Sequence, residues 1–128
     1  MSDRLKVAVV GLGVGQEHLQ HWRALDDLFE VSLVCDADQS RLDSVTSSLF
    51  GKGVQCIGTT SFDDVLGSDV DIIDVCTPPH LHFDMTSRAL RAGFNVVCEK
   101  PLVNSLFEVD ELIRIESESE GLCMPISQ

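Results

Sequence analysis

An α/β fold, a doubly wound parallel sheet in three α/β/α layers, is predicted for these 128 residues by three observations. Short β-branched apolar runs alternate with segments of helical periodicity along the whole chain. Two of the runs, Leu5–Val10 and Val70–Cys76, are apolar almost without interruption, as strands covered on both faces must be. A glycine-rich turn, Gly11-Leu12-Gly13-Val14-Gly15, stands between the first run and the first helical pattern. Doubly wound sheets place such a turn at the step from strand to helix.

The elements follow in order. Leu5–Val10 is the first strand, and Gly15–Asp27 a helix with Leu19, Trp22 and Leu25 on one face. Val31–Cys35 is the second strand and Gln39–Phe50 the second helix, broken by Gly51-Lys52-Gly53. A short strand is expected near Val54–Ile57, then a short helix over Ser61–Leu66 with Ser61 as N-cap ahead of Asp63 and Asp64. Val70–Cys76 is a buried strand, Pro79–Ala92 a helix with Gly93 at its C-terminal cap, and Phe94–Cys98 the next strand. Asn104–Glu120 is the last helix, ended by Gly121, and Leu122–Ile126 opens a further strand. Strand–helix alternation of this kind implies right-handed crossovers. The expected organisation is one dinucleotide-binding domain over residues 1–128, of the Rossmann type, with no repeat, linker or low-complexity tract.

Composition narrows the partners. The formal net charge of −12 argues against nucleic acid and against an anionic membrane surface. Much of the acidity sits in the last helical segment, which reads as a solvated face. No apolar run approaches membrane-spanning length, and the N-terminus lacks the apolar stretch of a secretory signal, so a cytoplasmic location is expected. Cys35, Cys56, Cys76, Cys98 and Cys123 form no C-x-x-C pair and read as small buried hydrophobes in a reducing compartment, with no metal site.

The glycine turn is a candidate phosphate cradle. Glycines let the backbone approach a pyrophosphate, and the free N–H groups and dipole of the following helix favour its charge. The usual spacing is G-x-G-x-x-G, whereas here the third glycine comes one place early. S-adenosylmethionine methyltransferases share the shorter spacing but carry an acid two residues before the first glycine, where this chain has Val9. Asp36, after the second strand, can accept hydrogen bonds from an adenosine ribose, or can cap the next helix, with Asp38 an equal candidate for that cap. A carboxylate there repels a 2′-phosphate by about 1 kcal/mol in water and roughly 4 kcal/mol at an effective dielectric of 20. NAD is therefore expected over NADP, with Arg41 close enough in sequence to moderate the preference.

Three stretches together, VAVVGLGVGQEHL, LVCDAD and SFDDVLGSDVDIIDVCTPPHLHFDMTSRALRAGFNVVCEKPL, cover nearly the whole chain. They resemble the nucleotide-binding half of the glucose–fructose oxidoreductase, inositol dehydrogenase and MocA family (Gfo/Idh/MocA). The resemblance implies an NAD(P)-dependent oxidoreductase that moves a hydride between nicotinamide and a sugar, inositol or related polyol. It implies that Gly11, Leu12, Gly13, Val14 and Gly15 hold the pyrophosphate, Asp36 the adenosine ribose, and that Thr77 and Pro78 line the path to the nicotinamide. Glu99 would lie near the nicotinamide ribose or carboxamide, and Lys100 would be the catalytic lysine of the Glu-Lys-Pro motif. His82 matches the family's histidine as a structural or nicotinamide-side residue, while His80 faces solvent. The family pattern G-x-x-H survives as Gly15-Gln16-Glu17-His18 after the one-residue shortening of the loop.

An ammonium beside a reacting alcohol stabilises developing alkoxide charge and can join a proton relay, which is the chemistry expected of Lys100. Pro101 suits the start of the next segment, and a cis Lys100–Pro101 bond is the hypothesis that goes with that reading. Trp22 and Phe94 read as packing residues. Family members carry a second domain that supplies the substrate pocket, a sheet used in oligomerisation and a histidine base; it is expected to be absent from this chain, leaving the 128 residues inactive alone. Two other functions fit parts of the pattern: a non-catalytic NAD-binding regulatory module, and the methyltransferase.

Overall fold

The computed structural model describes residues 4–100 and 105–125. Six parallel strands form one sheet: β1 (Leu5–Val10), β2 (Phe29–Cys35), β3 (Ile57–Thr59), β4 (Ile72–Val75), β5 (Asn95–Cys98) and β6 (Cys123–Pro125). Their order is β3-β2-β1-β4-β5-β6. Five helices connect them: α1 (Gly15–Ala24), α2 (Gln39–Gly51), α3 (Phe62–Leu66), α4 (His82–Arg91) and α5 (Leu106–Ser117). The chain starts in the middle of the sheet, builds outward to β3, and returns to pair β4 with β1. The carboxyl ends of β1 and β4 thus flank the point where the winding reverses, and doubly wound sheets bind ligands there.

Strand β1 shows why the fold forms. Val7 and Val9 face α1 and α2, within a core that includes Leu19, Val31, Val34, Leu42, Val45 and Leu49. Ala8 and Val10 face the other way, into a core with Phe62, Val65, Ile73, Leu90, Leu112 and Ile115. All four β1 side chains are at most 1% exposed. A strand with no wet face has no use for polar alternation, hence the unbroken apolar run. Together these two cores make the three layers.

The boundaries show where other forces compete with periodicity. The third strand lies at Ile57–Thr59 rather than near Val54–Ile57, because the Val54 N–H closes the end of α2 on the Leu49 carbonyl at 2.9 Å and Thr59 pairs with Cys35. Asp38, not Asp36, caps α2, accepting from the Ser40 and Arg41 N–H groups. Ser61 occupies the N-cap of α3, but its side chain makes no capping bond; Asp63 and Asp64 in the first turn complement the helix dipole. The segment after Pro78 opens as a 3₁₀ turn, Pro79–Leu81, before α4 begins at His82. Gly93 ends that helix at φ +93°. Gly121 lies three residues beyond the cap of α5, where any Cβ would collide with the Phe94 backbone, so the approach to β6 requires glycine. The Lys100–Pro101 bond, Asn104 and Ile126 fall outside the described residues.

Candidate functional site

A cleft of about 570 Å³ opens at the carboxyl edge of the sheet, over the junction of β1 and β4. Its walls include Gly11, Leu12, Gly13 and Val14 from the glycine turn, Asp36 and Arg41 from the β2–α2 connection, Thr77 and Pro78 after β4, and Glu99 and Lys100 after β5. Sequence positions 11 to 100 converge on one groove because every strand of a parallel sheet delivers its C-terminal loop to the same edge.

The three glycines of the turn do different work. Gly11 sits at φ +92°, and a Cβ would lie 2.7 Å from the Thr77 nitrogen and 2.8 Å from the Cys76 carbonyl carbon, so both conformation and space demand glycine. Gly13 is open: only the Arg41 guanidinium, 3.7 Å from a notional Cβ, comes near. Gly15 begins α1 with its Cβ position 3.0 Å from Val9 Cγ1 and does not line the cleft; it lets the helix pack closely on β1. The shortened loop therefore moves the third glycine straight to the helix start. The Gly13 and Val14 N–H groups make no hydrogen bond among the described residues. Two donors beside a glycine cradle at a helix N-terminus suit a pyrophosphate.

Leu12 contributes backbone alone, since its side chain is wholly buried in the α1–α2 core. Its N–H donates to Asp36 Oδ2 at 2.8 Å, and the Asp38 N–H donates to Asp36 Oδ1 at 2.8 Å. Asp36 is thus 8% exposed and ties the glycine turn to the end of β2. A carboxylate has about four lone-pair sites, so two remain to accept from hydroxyl groups in the cleft. Arg41 Nη1 stands 3.6 Å from Asp36 Oδ2, half exposed at the cleft rim.

Thr77 is pinned from behind. His82 Nε2 donates to the Thr77 carbonyl at 2.6 Å with its ring 1% exposed, and His82 is not part of the cleft wall. His82 thus holds the Thr77 carbonyl from outside the cleft. His80 is exposed.

One polar cluster among the described residues does not show in the sequence pattern. His18, on α1, has Nδ1 2.7 Å from Asp74 Oδ2 and Nε2 2.7 Å from Glu99 Oε2. Trp22 Nε1 donates to the same Asp74 oxygen at 2.8 Å, while its ring packs edge-on against Phe29. The Cys76 thiol donates to Asp74 Oδ1 at 3.3 Å and lies 3.2 Å from His18 Nδ1. Asp74 is completely buried. The hydrogen bond that His18 donates to Asp74 outweighs the cost of burial and, with Glu99, pushes the His18 pKa up to about 9. With both ring nitrogens facing carboxylates, His18 is an imidazolium at neutral pH. A legible clue was Asp74 itself, an acid inside an otherwise apolar buried strand, which needs compensating donors. His18, Asp74 and Cys76 have the atom types of a metal site and lie within 4.8 Å of one another. Their hydrogen bonds to one another and to Trp22 already satisfy them.

All five cysteines are free thiols. Burial raises Cys35 to about 11, Cys98 to about 12 and Cys123 to about 11, and also raises Cys76 and Cys56, so the thiols stay protonated. No helix among the described residues is long and apolar enough to cross a membrane.

Residues 5–126 match the oxidoreductase family Gfo/Idh/MocA, NAD-binding Rossmann fold. An inositol 2-dehydrogenase from Arthrobacter sp. (strain FB24) is 28% identical over 120 residues, 92% of this chain and 34% of that protein. The WlbA dehydrogenase from Chromobactrium violaceum, solved with NADH and UDP-GlcNAcA, superposes with a TM-score of 0.87 at 26% identity, covering 98% of this chain and 36% of that one. GenD2 from gentamicin A biosynthesis, solved with NAD, gives 0.86 at 31% identity over 98% of this chain and 35% of that one. The chain spans about a third of the length of each of these relatives. The S-adenosylmethionine alternative falls with the family match. A six-stranded parallel sheet of this order, a glycine cradle at its reversal point and a match over residues 5–126 place the chain in the Gfo/Idh/MocA oxidoreductase family, as its NAD-binding Rossmann domain.

Proposed function

We propose that this chain is the cofactor domain of an NAD-dependent dehydrogenase that oxidises or reduces a sugar, an inositol or a related polyol. The supporting observation is the single cleft that has Asp36 and the open glycine turn among its walls together with Glu99 and Lys100. Bound NAD supplies the hydride acceptor. The Gly13 and Val14 N–H groups hold the pyrophosphate and Asp36 takes the adenosine ribose. Thr77 and Pro78 wall the path toward the nicotinamide, Glu99 lies at its ribose or carboxamide, and the Lys100 ammonium meets the substrate oxygen, where it stabilises alkoxide charge.

Asp36 sets the cofactor preference on this reading. Its buried carboxylate accepts ribose hydroxyls and repels a 2′-phosphate, while the half-exposed Arg41 moderates the discrimination. The reading includes a cytoplasmic location, no nucleic-acid or membrane partner, and a substrate- and oligomer-forming domain outside residues 1–128. Inositol is the substrate named for the Arthrobacter relative, and UDP-GlcNAcA is the sugar bound in the WlbA complex. These bring the polyol and sugar class to this chain.

Calorimetry tests it first. The folded chain should bind NADH weakly and NADPH more weakly still, with Asp36→Ala narrowing the gap about tenfold. Absence of any NADH heat from protein with a cooperative melt would overturn the assignment. In a full-length enzyme, Lys100→Ala should lower turnover about a hundredfold with little change in NADH affinity. Equal losses in both would reduce Lys100 to a binding residue.

A further inference from the structure

Glu99 and Lys100 are neighbours in sequence and line the same cleft, yet they do not pair. Lys100 is exposed and forms no ion pair among the described residues. The Glu99 carboxylate is held instead by His18 Nε2 at 2.7 Å. The imidazole has little freedom to let go. Its ring is 14% exposed, and its other nitrogen is fixed on Asp74, which Trp22 and Cys76 hold from two further directions. The helix carrying His18 is itself seated on β1 by Gly15. The remaining titratable groups around the ring are the Cys76 thiol and, on its own helix along the adjoining cavity, Glu17 and His21.

We propose that His18 is a positioning residue: clamped between Asp74 and Glu99, it withholds the Glu99 carboxylate from Lys100 and leaves the Lys100 ammonium unpaired on the cleft wall. Two cations compete for one anion, and the buried, doubly anchored one wins over the exposed, flexible one. A carboxylate already bonded to a fixed imidazolium gains little from an exposed ammonium, because surface pairs are weak. An unpaired ammonium can meet a substrate oxygen without first breaking an ion pair; that use of the arrangement rests on the dehydrogenase reading, whereas the arrangement itself does not.

Trace acetylation with acetic anhydride, read by mass spectrometry on the cofactor-free protein, tests it. Only the free amine reacts, so pairing slows a lysine. Lys52, exposed and without an ion pair among the described residues, is the unpaired reference, and Lys6, 2.7 Å from Asp69, the paired one. Lys100 should label like Lys52. Glu99→Gln should leave its rate unchanged, because Glu99 is already committed elsewhere. His18→Gln should slow it about two- to fivefold, the range of an exposed ion pair, and adding Glu99→Gln should restore it.

A faster Lys100 in Glu99→Gln overturns the proposal, and so does an unchanged rate in a His18→Gln protein that melts cooperatively. Should His18→Gln fail to fold, the Glu99→Gln arm and nitrogen NMR of the wild-type ring decide. Two protonated ring nitrogens at pH 7.5 support the clamp, and one overturns it. NADH calorimetry on the same preparation separates the two ideas, since a missing cofactor signal removes the dehydrogenase reading and leaves the acetylation result to stand alone.

Discussion

The two ends of the cleft are built from different materials. The end formed by the β1 turn and Asp36 is made of backbone: glycine conformations, N–H groups, and a carboxylate bonded to the main chain of Leu12 and Asp38. The end formed after β4 and β5 depends on side chains: Glu99 in its wall, held from the adjoining cavity by His18, with Asp74 and Trp22 behind it, drawn from α1, β4 and the loop after β5. A backbone-built site depends on conformations that few residues can adopt. A side-chain network depends on charge balance, and its geometry exists only once the sheet has assembled.

The sharpest way to break the first end is Gly11→Ala. A methyl group at φ +92°, 2.7 Å from the Thr77 nitrogen, should cost roughly 4–5 kcal/mol in urea denaturation and abolish NADH binding. The second end should break more gently, because side chains can rearrange. Asp74→Ala leaves the imidazolium and the Trp22 N–H without their anion, and should cost about 3 kcal/mol.

The smallest effect is a pH dependence that belongs to the second end alone. The His18 pKa is higher folded, about 9, than its ordinary 6.5. The folded state therefore holds the extra proton, and the stabilisation is complete below pH 6.5 and lost as pH rises through 9. Stability should fall by about 2 kcal/mol across that window, allowing for partial screening. His18→Gln should flatten the slope, as measured by urea melts at pH 6, 7.5 and 9. A slope that survives in His18→Gln would locate the titration elsewhere.

The same contrast explains what could be read in advance. The sheet class was legible because Leu5–Val10 and Val70–Cys76 lack polar alternation, and the glycine turn because its residues are adjacent in the chain. The strand near residue 57 was misplaced because Val54 is apolar yet spends its N–H on the end of α2. Asp36 and Asp38 could not be told apart by spacing; only backbone geometry assigns the cap to Asp38 and the glycine-turn contact to Asp36. The His18 cluster went unseen because its members lie 56 and 81 residues apart. Periodicity carries no information at that range. An acid in the middle of a dry strand was the one trace it left.

The placement of the thiols gives the molecule a set of internal clocks. Cys35 and Cys98 lie in the core under α3, α4 and α5, and Cys76 in the one under α1 and α2. All three are buried, but Cys35 and Cys76 border the cleft, whereas Cys98 is 0% exposed and away from it, so a disulfide reagent reaches Cys98 only when its layer parts. The Cys98 rate would time the parting of the α3–α5 layer, and the Cys35 and Cys76 rates the access through the cleft, all without a substitution.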